Sequence, residues 1–145
     1  MGKKGFTLVE IILVVAVIAL LVSVAIVEGV QLRKRANESN CQANLKAIAS
    51  GFEVYSASNS GAYAPGNETN LRFLVDSGCL FQDLVSLGQF GNFRYAVGSV
   101  TPGGYDVRAM AVSGALADHN YQISTGGLLR RSDTSGSGDT DFKDY

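Results

Sequence analysis

From Ile11 to Val27 every residue is apolar except Ser23. Counted from Phe6, the run crosses about 30 Å of hydrocarbon at about 1.5 Å per residue. Further on, the pattern becomes one-sided. Cys41, Leu45, Ile48, Phe52 and Tyr55 step by four, three, four and three, which draws a single apolar stripe on a helix. Ser39, Gln42, Lys46, Ser50 and Glu53 supply the polar face. No proline occurs before Pro65, and Gly29 and Gly51 are interruptions worth only about 1 kcal/mol each. The pattern predicts one helix from about Phe6 to about Ser56, roughly 75 Å long. Its first half is apolar all round and must be buried in lipid or among other helices. Its second half has one face to dock on its own domain.

Ser56 to Asn70 reads SASNSGAYAPGNETN, turn chemistry throughout, and ends that helix. Leu71 to Val75 and Leu80 to Leu87 are short apolar stretches, read as a brief helix and a loop. The period then drops to two. Phe93, Tyr95 and Val97 alternate with Arg94, Ala96 and Gly98, and Tyr105, Val107 and Ala109 alternate with Asp106 and Arg108. TPGG (Thr101 to Gly104) is the turn between them. A further strand begins at Tyr121, and a short piece, GLLRR, follows Gly126. Three or four antiparallel strands with one face on the helical stripe is the economical arrangement. The fold class is α+β.

The chain has 145 residues, enough for one domain and an appendage. Roughly 110 residues follow the apolar segment, sufficient for a modest core. The net charge of −1 gives no general attraction to nucleic acid. Lys3 and Lys4 ahead of the span favour an N-in orientation, whereas Arg33, Lys34 and Arg35 after it argue the other way.

Glu10 is the anomaly. A carboxylate so near the start of a membrane-length apolar run weakens insertion, so a functional partner is the default expectation. A plain signal anchor leaves it unexplained. So does a secretory signal peptide with MGKK as its basic region and Ser23-Val24-Ala25 as its cleavage site. A third reading accounts for it. GFTLVE, with a basic leader before it and a long apolar run after it, resembles the cleavage site of type IV pilins and of the pseudopilins of type II secretion. The resemblance rests on Gly5, Phe6 and Glu10. It is strong through Val27, moderate to about Tyr63, and only architectural beyond.

That resemblance implies cleavage after Gly5 by a prepilin peptidase/methyltransferase, N-methylation of Phe6, and a role for Glu10 in docking subunits into a filament. The electrostatics agree. Cleavage leaves an ammonium on Phe6, and methylation keeps its charge. If that ammonium belongs to a neighbouring subunit, its pairing with Glu10 sets the axial register, because a matched buried pair costs far less than a lone buried charge. The implied organisation is a leader at 1–5, a membrane and filament-core helix at 6–30, and a periplasmic or extracellular pilin domain at 31–145 with a flexible tail at about 132–145. The implied partners are further copies or other pilins, an inner-membrane assembly platform, and the bacterial inner membrane before assembly. Many type IV pilins carry a proline in the second half of the apolar segment, and this chain has none there.

Cys41 and Cys79 are candidates for one disulfide, stapling the loop to the helix at a gain of roughly 3–4 kcal/mol. Two free thiols are the alternative. Asp133, Asp139, Asp141 and Asp144 offer hard oxygen ligands near the C-terminus, where some pseudopilins bind calcium, but their spacing matches no calcium loop and a solvated tail is the better reading. His119, the lone histidine, sits in a turn and reads as a surface residue. The cysteines lack zinc spacing, the paired glycines form no phosphate loop, and no acid–base or nucleophilic set can be assembled, so no enzyme is expected. Three readings of function remain: a pilus subunit, a pseudopilin of type II secretion, and a membrane-anchored binding module that never polymerises.

Overall fold

The computed structural model describes residues 5–132 and 142–144. It divides into two compact units, Met1–Arg33 and Lys34–Tyr145. Helix α1, Leu8–Ser58, runs through the boundary, in close agreement with the bounds expected from the hydrophobic pattern.

In the first unit every described residue from Gly5 to Ile26 is exposed. This part of α1 is long and apolar enough to cross a membrane, and none of it is buried inside the protein. Ser23, its one polar interruption, donates its hydroxyl to the Leu20 carbonyl at 2.7 Å. That bond removes the polar group that lipid would penalise.

The second unit has its own core. Cys41, Leu45, Ile48, Ala49 and Phe52 of α1 are buried, with Tyr55 partly so, as the periodicity predicts. Full burial of a Leu, Ile or Phe side chain stabilises by about 1.5–3 kcal/mol. Phe52 lies flat on Tyr105, with ring centroids 4.1 Å apart and planes at 4°. Phe73 of the short helix α2 (Arg72–Asp76) packs edge-on to Tyr55 at 5.0 Å.

Among the described residues the sheet has six strands, not three or four: β1 (Gln89–Phe90), β2 (Phe93–Thr101), β3 (Gly104–Ala111), β4 (Tyr121–Ser124), β5 (Leu128–Ser132) and β6 (Phe142–Asp144). They pair antiparallel in sequence order. The two outermost strands are two and three residues long, too short for alternation to reveal them. Residues 142–144 were expected in a loose tail. They pair instead with β5, Phe142 opposite Ser132, and the Arg108 guanidinium lies 5.9 Å from the centre of the Phe142 ring. The calcium candidates Asp133, Asp139 and Asp141 lie outside the described residues.

The register puts Tyr105, Val107, Ala109 and Ala111 of β3 on the face toward α1 and leaves Asp106 and Arg108 on the other. Glycine is needed at two close approaches. A Cβ at Gly98, in the bulge of β2, would stand 2.7 Å from the Asp106 carboxylate. A Cβ at Gly51 would stand 3.0 Å from the Cys79 carbonyl oxygen, so Gly51 lets the loop after α2 lie directly on the helix.

Candidate functional site

Gly5, Phe6 and Thr7 precede the first turn of α1 and are exposed, and a Cβ added at Gly5 would meet nothing within 4 Å. The scissile bond expected from the resemblance therefore lies in an exposed segment ahead of the helix. Thr7 is the N-terminal cap. Its backbone N–H and its hydroxyl both donate to Glu10 Oε2, each at 3.2 Å, and its Oγ1 accepts from the Glu10 N–H at 3.2 Å. This is a capping box, in which two residues three apart each satisfy an otherwise unpaired group of the other at the helix start. The carboxylate also sits in the first turn, where the helix dipole favours negative charge.

Thus Glu10 has partners within its own chain, which reduces the cost of holding it in an apolar run. The TLVE spacing carries the sequence signal for this. Both Thr7 donors converge on Oε2. Oε1 takes no hydrogen bond among the described residues, and Glu10 as a whole is exposed.

The expected Cys41–Cys79 bridge is absent, and both residues are free thiols. The geometry explains it. The Cys79 backbone packs against Gly51, ten residues past Cys41 on the same helix. Ten helical residues rise about 15 Å, whereas a disulfide needs Cα atoms about 4.4–6.8 Å apart. Cys41 faces the core, and burial pushes its thiol up to about 12, with the charge of Glu38 adding to the effect and a hydrogen bond with Tyr95 opposing it.

His119 is not a bare surface residue. Its Nδ1 lies 3.0 Å from Glu38 Oε1, and its backbone N–H donates to the same oxygen at 3.1 Å. The Asp118 N–H donates to that oxygen at 2.7 Å, and the Tyr121 hydroxyl donates to Glu38 Oε2 at 3.1 Å. Beside this hub, Lys34 pairs with Asp118 at 2.6 Å and the Asn37 amide donates to the Leu116 carbonyl at 2.8 Å. Lys34, Asn37 and Glu38 are successive residues on one face of α1, and together they bind the loop between β3 and β4. The basic cluster 33–35 is thereby split, with Lys34 engaged and Arg33 and Arg35 exposed. Among the described residues no group of three His, Cys, Asp or Glu side chains could hold a metal.

Comparison with known proteins bears on the same N-terminal stretch. Residues 1–26 match the prokaryotic N-terminal methylation motif. The chain is also 34% identical over 61 residues to the type IV narrow pilus major component PilA5 of Thermus thermophilus, an alignment covering 42% of this chain and 53% of that protein. The chain thus spans about half the length of the curated relative it matches.

Proposed function

We propose that this chain, a type IV pilin-family protein by its methylation motif and its long helix joined to an antiparallel sheet, is a structural subunit of a pilus-like filament. It waits in the bacterial inner membrane with its N-terminus in the cytoplasm. A prepilin peptidase/methyltransferase cuts after Gly5 and methylates Phe6. The exposed apolar half of α1 then leaves lipid for the company of like helices, and the sheet domains form the outside of a periplasmic or extracellular filament. The role is structural rather than enzymatic.

The observation that carries this reading is the open acceptor on Glu10. Thr7 donates twice to one carboxylate oxygen, and among the described residues the other accepts no hydrogen bond. In the filament that oxygen accepts from the methylated ammonium of Phe6 on an adjoining subunit, which fixes register between staggered helices. The pseudopilin reading shares every step up to the identity of the cargo. The matched relative's description as a pilus component favours the pilus.

The capping box gives the non-polymerising module its best support, since a cap alone can account for a glutamate there. Paired variants separate the two. Thr7→Ala and Glu10→Ala each remove the box, at about 1 kcal/mol. Only Glu10→Ala removes the charge. Both variants should insert in the membrane normally, while filament yield, measured by shearing and pelleting, should fall far more for Glu10→Ala. Equal yields from the two variants, or normal filaments from Glu10→Ala, would overturn the pairing.

A further inference from the structure

A groove of about 240 Å³ opens on the second unit between α1 and the turn joining β1 to β2. Asn37, Asn40 and Asn44 line it from the helix, spaced three and four residues apart and therefore on one face. Asn92, Phe90 and Tyr95 line it from the sheet. No charged side chain contributes to its wall.

Two of these amides are held in place by bonds that use only their nitrogens. Asn44 Nδ2 donates to the Tyr95 hydroxyl at 3.0 Å, and Asn37 Nδ2 donates to the Leu116 carbonyl at 2.8 Å. Their carbonyl oxygens remain as acceptors. The side-chain amides of Asn40 and Asn92 have no hydrogen bond among the described residues. Each offers a donor and an acceptor side by side. Phe90 lines the groove and is 43% exposed, so part of its apolar surface is open to a ligand there.

The lining selects a chemistry. An ion would find no counter-charge. An aliphatic ligand would strip water from the amides without replacing their hydrogen bonds, at a cost for each. A neutral ring with hydroxyls around its edge and C–H bonds on its face satisfies both halves: the hydroxyls give and accept hydrogen bonds to the amides, and the C–H face covers Phe90. We propose that this groove binds one neutral pyranose ring of a carbohydrate. The volume admits a single ring rather than an extended chain. This goes beyond filament assembly and does not depend on it.

The test uses the full-length chain in zwitterionic micelles without sugar headgroups. Ligand-observed saturation-transfer NMR is recorded with methyl hexopyranosides and N-acetylhexosamines, each at about 10 mM, because a one-ring ligand in so shallow a site binds in the millimolar range. At least one sugar should show transfer. That signal should drop at least about fivefold in Asn40→Ala and in Phe90→Ala, the loss expected from removing one or two net contacts. It should persist in Asn67→Ala, a surface change outside the groove. Asn40 is exposed and alanine is the better helix former, so that variant folds. No transfer from any sugar, or transfer undiminished in both groove variants, would overturn the proposal. So would sugar-independent, concentration-dependent shifts of the Phe90 signals, which would assign the groove to a second copy of the chain.

Discussion

The two halves of α1 obey the same backbone rules and meet opposite demands. From Leu8 to Ile26 its side chains, Glu10 and Ser23 apart, are apolar on every side and exposed, so none is buried against the other described residues. From Cys41 to Tyr55 the apolar residues occupy one stripe, and the sheet buries it. A helix that is apolar all round needs an external solvent, lipid or other helices, while a one-sided helix needs one partner surface. The first half therefore contributes almost nothing to the stability of the isolated chain, and on the proposed function its contribution is to association. The second half contributes to stability whether or not the subunit is assembled. The polar fittings follow the same division. Glu10 shares a capping box with Thr7 at 3.2 Å that uses one of its oxygens among the described residues, whereas Glu38 spends both oxygens inside the fold.

The sharpest way to break this division is a pair of truncations. Phe52→Ala should lower the stability of the second unit by about 3–5 kcal/mol, since it empties a fully buried site stacked on Tyr105. Val17→Ala, in the exposed apolar half, should leave the same unfolding transition in micelles within about 0.5 kcal/mol of wild type. A comparable loss from both would show that the first half is part of one cooperative core.

Glu38→Ala should cost about 2–3 kcal/mol, because it leaves two backbone N–H groups and a tyrosine hydroxyl without their acceptor. Hydrogen exchange should quicken at the Asp118 and His119 amides before it changes in β3. Unchanged exchange there would remove Glu38 as the anchor of that loop.

The smaller effects concern the thiols. Under native conditions Cys79 should take one alkylating group and Cys41 none, read as a single mass addition. Raising the pH should then weaken the fold. The unfolded thiol of Cys41 ionises near 9.0, while the folded one holds its proton to about 12. Burial likewise lifts the Tyr105 phenol from its ordinary 10.0 to about 12. The folded state thus binds more protons across this window, so its stability is full below about pH 9 and declines toward pH 12. Thermal melts at pH 8 and pH 11 should show the later one clearly lower. Equal melts would mean that these groups are wetter than the fold implies.

How far the sequence alone reaches follows from the range of each interaction. The buried stripe from Cys41 to Tyr55 is written in a local period, and it is the stripe that packs. The Thr7–Glu10 box is equally local, legible in the threonine and glutamate three apart. Glu38 gives no such sign, because its partners lie some 80 residues away and only the fold brings them together. The outer strands escape because two or three residues carry no alternation. The disulfide expectation failed for a related reason. Cysteine types and an exported setting permit a bridge, but only the docking of the Cys79 loop at Gly51 decides whether the sulfurs can meet.

The measurement that bears most directly on the central claim is the mass and N-terminal peptide of the mature protein purified from its native membrane. The account predicts a chain that begins at Phe6 with one added methyl group, the species that carries the ammonium proposed to pair with Glu10. A mature chain beginning at Met1, or after Ala25, would contradict it, for Glu10 would then have only Thr7 to serve.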